Sequence, residues 1–367
     1  MNILVRVDSS TQIGSGHVMR CLTLADILQK KGICVEFICR ELQGNLISFI
    51  SQKGYRVHIL KKNNTIQQGN ASYLKHALWL EVSMEQDAKE TCEIISQSNK
   101  EFNLLIVDHY ALDINWEKQI KKHVKKIMVI DDLADRNHLC DILLDQNFYK
   151  NQESRYDNKV PFNCKKFLGP NYVLLREEFY KLSPSSSRLK VERIILFFGG
   201  TDPTNETIKA INAFLSLVKS EVRVDVIVGT TNANKKEIEE LCYAQDNIEY
   251  HCQVSNIAEL MSRADLAVGA GGTAIYERCY VGLPTIVVTI ANNQEAIVRD
   301  LHDEGHIYYL GKKEEVSESD LARAMLYFIS NEQIRNKLSN SAKSLLSNNK
   351  KYVAKLIAEI IEQGCNQ

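Results

Sequence analysis

The sequence predicts an α/β protein of two lobes, each a parallel sheet covered by helices on both faces. Three observations lead there. Short β-branched runs alternate with longer stretches of helical periodicity along nearly the whole chain, the pattern of successive strand–helix–strand units. The chain has 367 residues, enough to bury a core in each of two domains. The alternation also runs in two series, broken at residues 181–190 by Lys-Leu-Ser-Pro-Ser-Ser-Ser-Arg-Leu-Lys. That stretch is Ser- and Pro-rich and weakly apolar, and reads as a linker. The lobes are therefore expected over residues 1–183 and 190–367. They are expected to be Rossmann-like, with a ligand cleft between them and the final helices packing back toward the first lobe.

In the first series, the apolar runs at 3–7, 34–39, 56–60, 104–108, 126–130 and 142–145 are the expected strands. Their Val, Ile, Leu and Phe residues suit a sheet buried on both faces. Stretches 18–31, 45–52, 84–97 and 116–123 space their apolar residues as helices do. The second series places strands at 193–198, 224–228, 247–250, 266–268, 285–288 and 307–310. No sequence repeat joins the two series, so any likeness between the lobes is architectural.

Composition excludes several classes of function. Lys plus Arg number 45 against 46 acids, a net charge of −1, which provides no bulk field for nucleic acid or anionic lipid. No run approaches the ~20 apolar residues of a membrane span, and the N-terminus enters a strand pattern with no secretory leader. None of the ten cysteines forms a Cys-x-x-Cys pair, so free thiols in a reducing cytoplasm are expected. The nine histidines show no metal-ligand spacing; His302 and His306 lie four apart without the His-Glu-x-x-His pattern. No metal and no cofactor are expected, and the expected state is a monomer.

Ligands of open α/β sheets bind outside the carboxyl ends of the strands, and residues suited to chemistry cluster there. After the first strand comes Gly14-Ser15-Gly16-His17-Val-Met-Arg20. Such a turn brings backbone amides and a helix start close to a bound anion. A dinucleotide fingerprint needs a third glycine where Met19 stands, which disfavours NAD. His17 either caps this helix or faces the same space as the amides. Asp108-His109-Tyr110 follows the fourth strand; Asp108 and His109 face the cleft in this architecture or, alternatively, cap and pack locally. Asp131 and Asp132 fit either a metal pair or turn caps. In the second lobe, Gly199-Gly200-Thr201 and Gly271-Gly272-Thr273 open after strands, where backbone approaches a phosphate closely. Glu277 is placed to accept ribose hydroxyls or, alternatively, to pair with Arg278. Asn293 and Gln294, in the loop after residue 288, offer neutral donors and acceptors suited to a sugar.

Taken together, these segments resemble the UDP-2,4-diacetamido-2,4,6-trideoxy-β-L-altropyranose hydrolases of pseudaminic acid biosynthesis. The likeness rests on Ile13–Ala25, Val107–Tyr110, Asp131–Arg136, Cys140–Asn147, Leu168–Arg176, Phe198–Pro203, Gly269–Pro284 and Asn293-Gln294. They stand in the family's order from residue 3 to about 300, whereas residues beyond about 330 are only loosely similar. One departure is Asn292, where the family commonly carries an acid. The resemblance implies the two-lobed fold of inverting nucleotide-sugar glycosyltransferases (GT-B), similar to the enzyme that adds N-acetylglucosamine to the peptidoglycan lipid precursor. It implies hydrolysis of a UDP-sugar with inversion and no metal, with His17 as general base. Histidine suits that role because its ordinary pKa, near 6.5, leaves it mostly neutral in the cytoplasm. The glycine loops are then implied to face the diphosphate, Glu277 the nucleotide, and Asn293 and Gln294 the sugar. Gly14, Ser15, Gly16, Arg20, Asp108, His109 and Tyr110 complete the expected substrate site. The rival readings are an inverting UDP-sugar glycosyltransferase of the same fold and a catalytically silent UDP-sugar-binding protein.

Overall fold

The computed structural model describes residues 1–62, 74–182, 190–217 and 221–365, so most of the expected linker, residues 183–189, lies outside the described residues. Packing divides the chain into two compact units. Unit 1 holds Met1–Asn147, Asn151–Leu174 and Lys350–Gln367; unit 2 holds Phe148–Lys150 and Leu175–Asn349.

Unit 1 is built on β1 (Asn2–Val7), β2 (Cys34–Arg40), β3 (Arg56–Leu60), β4 (Leu104–Asp108), β5 (Lys126–Ile130), β6 (Ile142–Asp145) and β7 (Lys165–Leu168). The strands form one sheet in the order β3-β2-β1-β4-β5-β6-β7, and every pairing is parallel. Period-two alternation sends successive side chains to opposite faces. Ile3, Val5 and Val7 join Phe37, Ile106 and Met128 under the helix Gly16–Gln29. Leu4, Ile38, Leu105 and Val107 join Ala88, Trp116 and Ile120 of the helices Met84–Gln97 and Ile114–Ile120. Each buried Val, Leu, Ile, Phe or Met side chain contributes about 1.5–3 kcal/mol by leaving water. The helix Asn349–Cys365 adds Val353, Leu356, Ile357 and Ile360 to the first of these layers.

Unit 2 contains β8 (Arg193–Phe197), β9 (Arg223–Val228), β10 (Ile248–Cys252), β11 (Leu266–Ala270), β12 (Thr285–Thr289) and β13 (Tyr308–Lys312). Their order is β10-β9-β8-β11-β12-β13, again parallel throughout. In both sheets the order reverses beside the first strand of the unit, between β1 and β4 and between β8 and β11. Ligand crevices open at such reversals, and the loops that leave these four strands carry most of the expected site residues.

Two differences from the sequence reading stand out. The edge strand β7 was not expected: it is four residues long and begins with two exposed lysines, so it has too little apolar alternation to register. The division between units falls ahead of residue 183. The short helix Glu177–Tyr180 belongs with unit 2, where Glu178 accepts from the Ala258 amide at 3.2 Å and the Tyr180 hydroxyl donates to Asn349 at 2.5 Å.

Candidate active site

In unit 1, Gly14 adopts a φ of 80° and its amide closes a turn onto the Ser10 carbonyl at 2.9 Å. A left-handed residue there lets the chain reverse and enter the helix at Gly16, with Ser15 as the N-cap. His17 thus sits in the first turn. Its Nδ1 lies 2.6 Å from Asp108 Oδ1 at the end of β4. The partner strand pairing, Val7 opposite Asp108, is what brings the β1 loop and the β4 terminus together.

Asp108 is fully buried. Burial alone would raise its carboxyl, but Arg20 and then His17 hold it well below the usual carboxylate range. A carboxylate only accepts, so the proton of the 2.6 Å contact belongs to Nδ1 of His17. In the neutral imidazole of that tautomer the lone pair is on Nε2, and among the described residues no hydrogen bond engages that atom. Arg20 Nε and Nη2 each reach Asp108 at 2.6 Å, while Nη1 reaches Asp132 at 2.9 Å. Asp132 also accepts from Asn147 at 3.0 Å and from the Tyr110 hydroxyl. Burial and the neighbouring Asp132 push the Tyr110 phenol well above its ordinary pKa, so it stays a donor. The Tyr110 ring in turn meets His17 edge-on, centroids 4.6 Å apart, and stacks on Trp79 at 5.4 Å. His76 packs on Trp79 at 4.5 Å. The imidazole is therefore fixed by a carboxylate at one nitrogen and by an aromatic wall on its flank.

His109 does not join this group. The chain turns its side chain to the far side of the strand end, where Nδ1 accepts from the Ala111 amide at 3.1 Å. Its Nε2 lies 3.4 Å from Asp8. Burial lowers its pKa, against the opposing pull of Asp8. Asp8 itself belongs to a buried network in which Arg6 and Arg40 share Asp87 at 2.7 Å each. The adjacent acids also resolve: Asp131 is held by Arg136 at 2.8 Å and by the Ala134 amide at 2.9 Å. With Asp132 on Arg20, both carboxylates serve as turn and ion-pair partners.

In unit 2, Gly199 has a φ of 99°, and the Gly200 carbonyl accepts from Gly229 at 3.0 Å. Thr201, partly exposed, completes that loop. Gly271 and Gly272 run beneath Gln294: a Cβ on Gly271 would lie 2.5 Å from Val298 and 3.4 Å from Gln294. Gln294 is held by the Ile290 amide at 3.1 Å, whereas Asn293 is exposed. Thr273 is the N-cap of the helix Ala274–Tyr280. Glu277, inside that helix, accepts from Arg176 Nε and Nη2 at 2.9 and 2.8 Å, both on Oε1. The partner of Glu277 is thus Arg176. Arg278 turns inward to the Ala270 carbonyl at 2.6 Å. Trp79, His76, Asn147 and Arg176 escaped sequence reasoning as site residues; Asn147 and Arg176 carried a signal, each as the last residue of a motif-bearing segment.

Two Rossmann-like units of this kind define the GT-B class of nucleotide-sugar enzymes. The chain superposes on Acinetobacter baumannii MurG with a TM-score of 0.61 and 13% identity, covering 98% of this chain and 99% of that one. With Arabidopsis thaliana UGT89C1 the TM-score is 0.67 at 12% identity, covering 98% of each. Residues 194–360 match the glycosyltransferase family 28 C-terminal domain. A Campylobacter jejuni UDP-2,4-diacetamido-2,4,6-trideoxy-β-L-altropyranose hydrolase is 30% identical over 308 residues, 83% of this chain and 98% of that protein. The Bacillus subtilis spore coat polysaccharide biosynthesis protein SpsG is 22% identical over 350 residues, 94% of each chain. The chain belongs to the UDP-2,4-diacetamido-2,4,6-trideoxy-β-L-altropyranose hydrolase family.

Proposed function

We propose that the protein hydrolyses UDP-2,4-diacetamido-2,4,6-trideoxy-β-L-altropyranose to UDP and 2,4-diacetamido-2,4,6-trideoxy-L-altrose, a step of pseudaminic acid biosynthesis. The observation that carries this reading is the His17–Asp108 contact at 2.6 Å, which leaves a basic nitrogen at a helix start beside the sheet's reversal. Water gives its proton to His17 Nε2 as its oxygen bonds to the anomeric carbon. The bond from that carbon to the β-phosphate oxygen breaks, and its electron pair leaves with UDP. Attack from the face opposite the leaving group inverts the anomeric centre.

The chain's own groups divide the labour. Asp108 holds the tautomer and meets the imidazolium that forms, as an ionised orienting carboxylate does in other general-base pairs. Gly14, Ser15, Gly16, Arg20 and Tyr110 are the substrate-binding residues around His17. The loops Gly199–Thr201 and Gly271–Thr273 receive the diphosphate, their amides fixed before charge develops. Glu277 takes the ribose, and Asn293 and Gln294 the acetamido and hydroxyl groups. With that compensation in place the reaction runs without a divalent metal. The enzyme is proposed to act as a cytoplasmic monomer on a small nucleotide sugar, with no nucleic-acid or membrane partner. Among the described residues no helix is long and apolar enough to cross a membrane.

The test is UDP release from a panel of UDP-sugars in EDTA, with NMR of the first-formed anomer. Release from the diacetamido-trideoxy-altrose substrate with an inverted anomer is expected. UDP binding without release from any sugar would instead indicate a transferase that needs an acceptor.

A further inference from the structure

The loops that end β8 and β11 rise from neighbouring strands, Gly269 pairing with Phe197 at their last shared register. Arg278 lies against Gly269 and Ala270, where these paired strands end. Its side chain is 1% exposed. Nη2 donates to the Ala270 carbonyl at 2.6 Å. Nη1 packs against Gly269 so closely that a Cβ there would stand 2.2 Å from it, and 2.2 Å from the Phe197 carbonyl oxygen. Glycine at 269 is therefore what admits the guanidinium to this position.

Among the described residues, no carboxylate pairs with this guanidinium, and its Nε and Nη1 have no hydrogen-bond partner. The adjacent acid, Glu277, is turned to Arg176. The contrast with the buried arginines of unit 1 is clear. Arg6, Arg20, Arg40 and Arg136 each hold at least one carboxylate. A buried cation without a counter-charge is costly, and a site that receives an anion supplies one.

We infer that Arg278 is the resident counter-charge of the diphosphate, a positioning residue that acts through the floor of the two glycine loops without touching substrate. Through Ala270 it fixes the backbone at the loop's origin, and its charge raises the potential where both loops open. The position fits a role in a preorganised anion site, since the charge is in place before the ligand arrives. Burial pushes its pKa down to about 10, against weaker opposing pulls from Cys279 and Glu277, so it remains a cation at neutral pH. The inference rests on the nucleotide reading of unit 2.

Calorimetric affinities of the full chain for UDP, inorganic pyrophosphate and uridine, in wild type, R278M and R278K, test it together with unfolding temperatures without ligand. In R278M, UDP and pyrophosphate affinities are expected to fall about tenfold or more, with uridine within about twofold. The unliganded R278M protein is expected to unfold no earlier than wild type, since an apolar side chain replaces an unpaired charge. R278K keeps the charge and is expected to retain UDP affinity within about threefold. Equal losses for UDP and uridine, or R278M binding UDP as wild type does, overturn the inference. Should R278M not fold, R278K decides: retained UDP affinity supports the charge, and joint loss of UDP and uridine shows a strut to Ala270 only. A wild-type chain that binds neither UDP nor pyrophosphate overturns the nucleotide reading itself.

Discussion

Asp108 holds Arg20 through both carboxylate oxygens at 2.6 Å each, and one of those oxygens also meets the Nδ1 of His17. The arginine thus fixes the carboxylate, and the carboxylate fixes the imidazole. One end of this chain is anchored further by Asp132, which Arg20, Asn147 and Tyr110 all reach. The orientation of the base is over-determined before any substrate binds.

Removing the base tests its role most directly. H17A or H17Q is expected to lower kcat by about 10²–10⁴ while UDP affinity stays within about twofold. Steady-state rates paired with calorimetry separate the two. A matched loss of turnover and UDP affinity would assign His17 to binding or folding.

The orienting carboxylate predicts a different signature. In D108N the amide keeps the shape but loses the charge that fixes the Nδ1 proton, so kcat is expected to fall by about 10² or more with KM little changed. Arg20 also loses its ion pair with Asp108, keeping only the one with Asp132, so the unfolding temperature should drop as well. A D108N enzyme with wild-type kcat would remove Asp108 from the mechanism.

Glu277 separates nucleotide binding from catalysis. E277A is expected to weaken UDP binding about ten- to a hundredfold, the loss of one or two hydrogen bonds to a charged group. Unchanged UDP affinity in calorimetry would leave Glu277 as a partner of Arg176 and nothing more.

Asp145 predicts a pH dependence of stability. Burial above all, with Asp132 adding to it, pushes its carboxyl up to about 7, against weaker opposing pulls from the Asn147 amide and Arg155. Unfolded, an aspartate titrates near 4, so the folded chain binds more protons than the unfolded chain across about pH 4 to 7. Asp145 therefore lowers stability as pH rises through that window and adds no further slope above it. In D145N this contribution vanishes. Urea unfolding at pH 5 and pH 8 should show the variant gaining on wild type by on the order of 2 kcal/mol at the higher pH. Parallel pH curves for the two proteins would refute the assignment.

Much of this was legible in the residues. Strands β1 to β6 and β8 to β13 announce themselves as β-branched runs long enough to fill a buried sheet, and glycine loops mark where they end. The cluster around His17 was legible only as separate motifs, because sequence gives no view of the Val7–Asp108 register that joins them. His109 shows the limit in the other direction. Adjacent residues at a strand end point apart, so a motif read as one unit splits across two faces, and His109 goes to Asp8. Arg278 gave no signal at all. A charged residue beside Glu277 reads as a surface pair, and only the packing on Gly269 reveals it as buried.

The helix Asn349–Cys365 closes the core of unit 1 although it is translated after all of unit 2. Until it emerges from the ribosome, the β1 layer presents to water the faces that Leu356, Ile357 and Ile360 later cover. The first unit thus completes folding last, and the nascent chain carries an unfinished apolar surface for most of its synthesis. Transiently exposed apolar surface of that kind is what makes a folding chain prone to aggregate and open to chaperones.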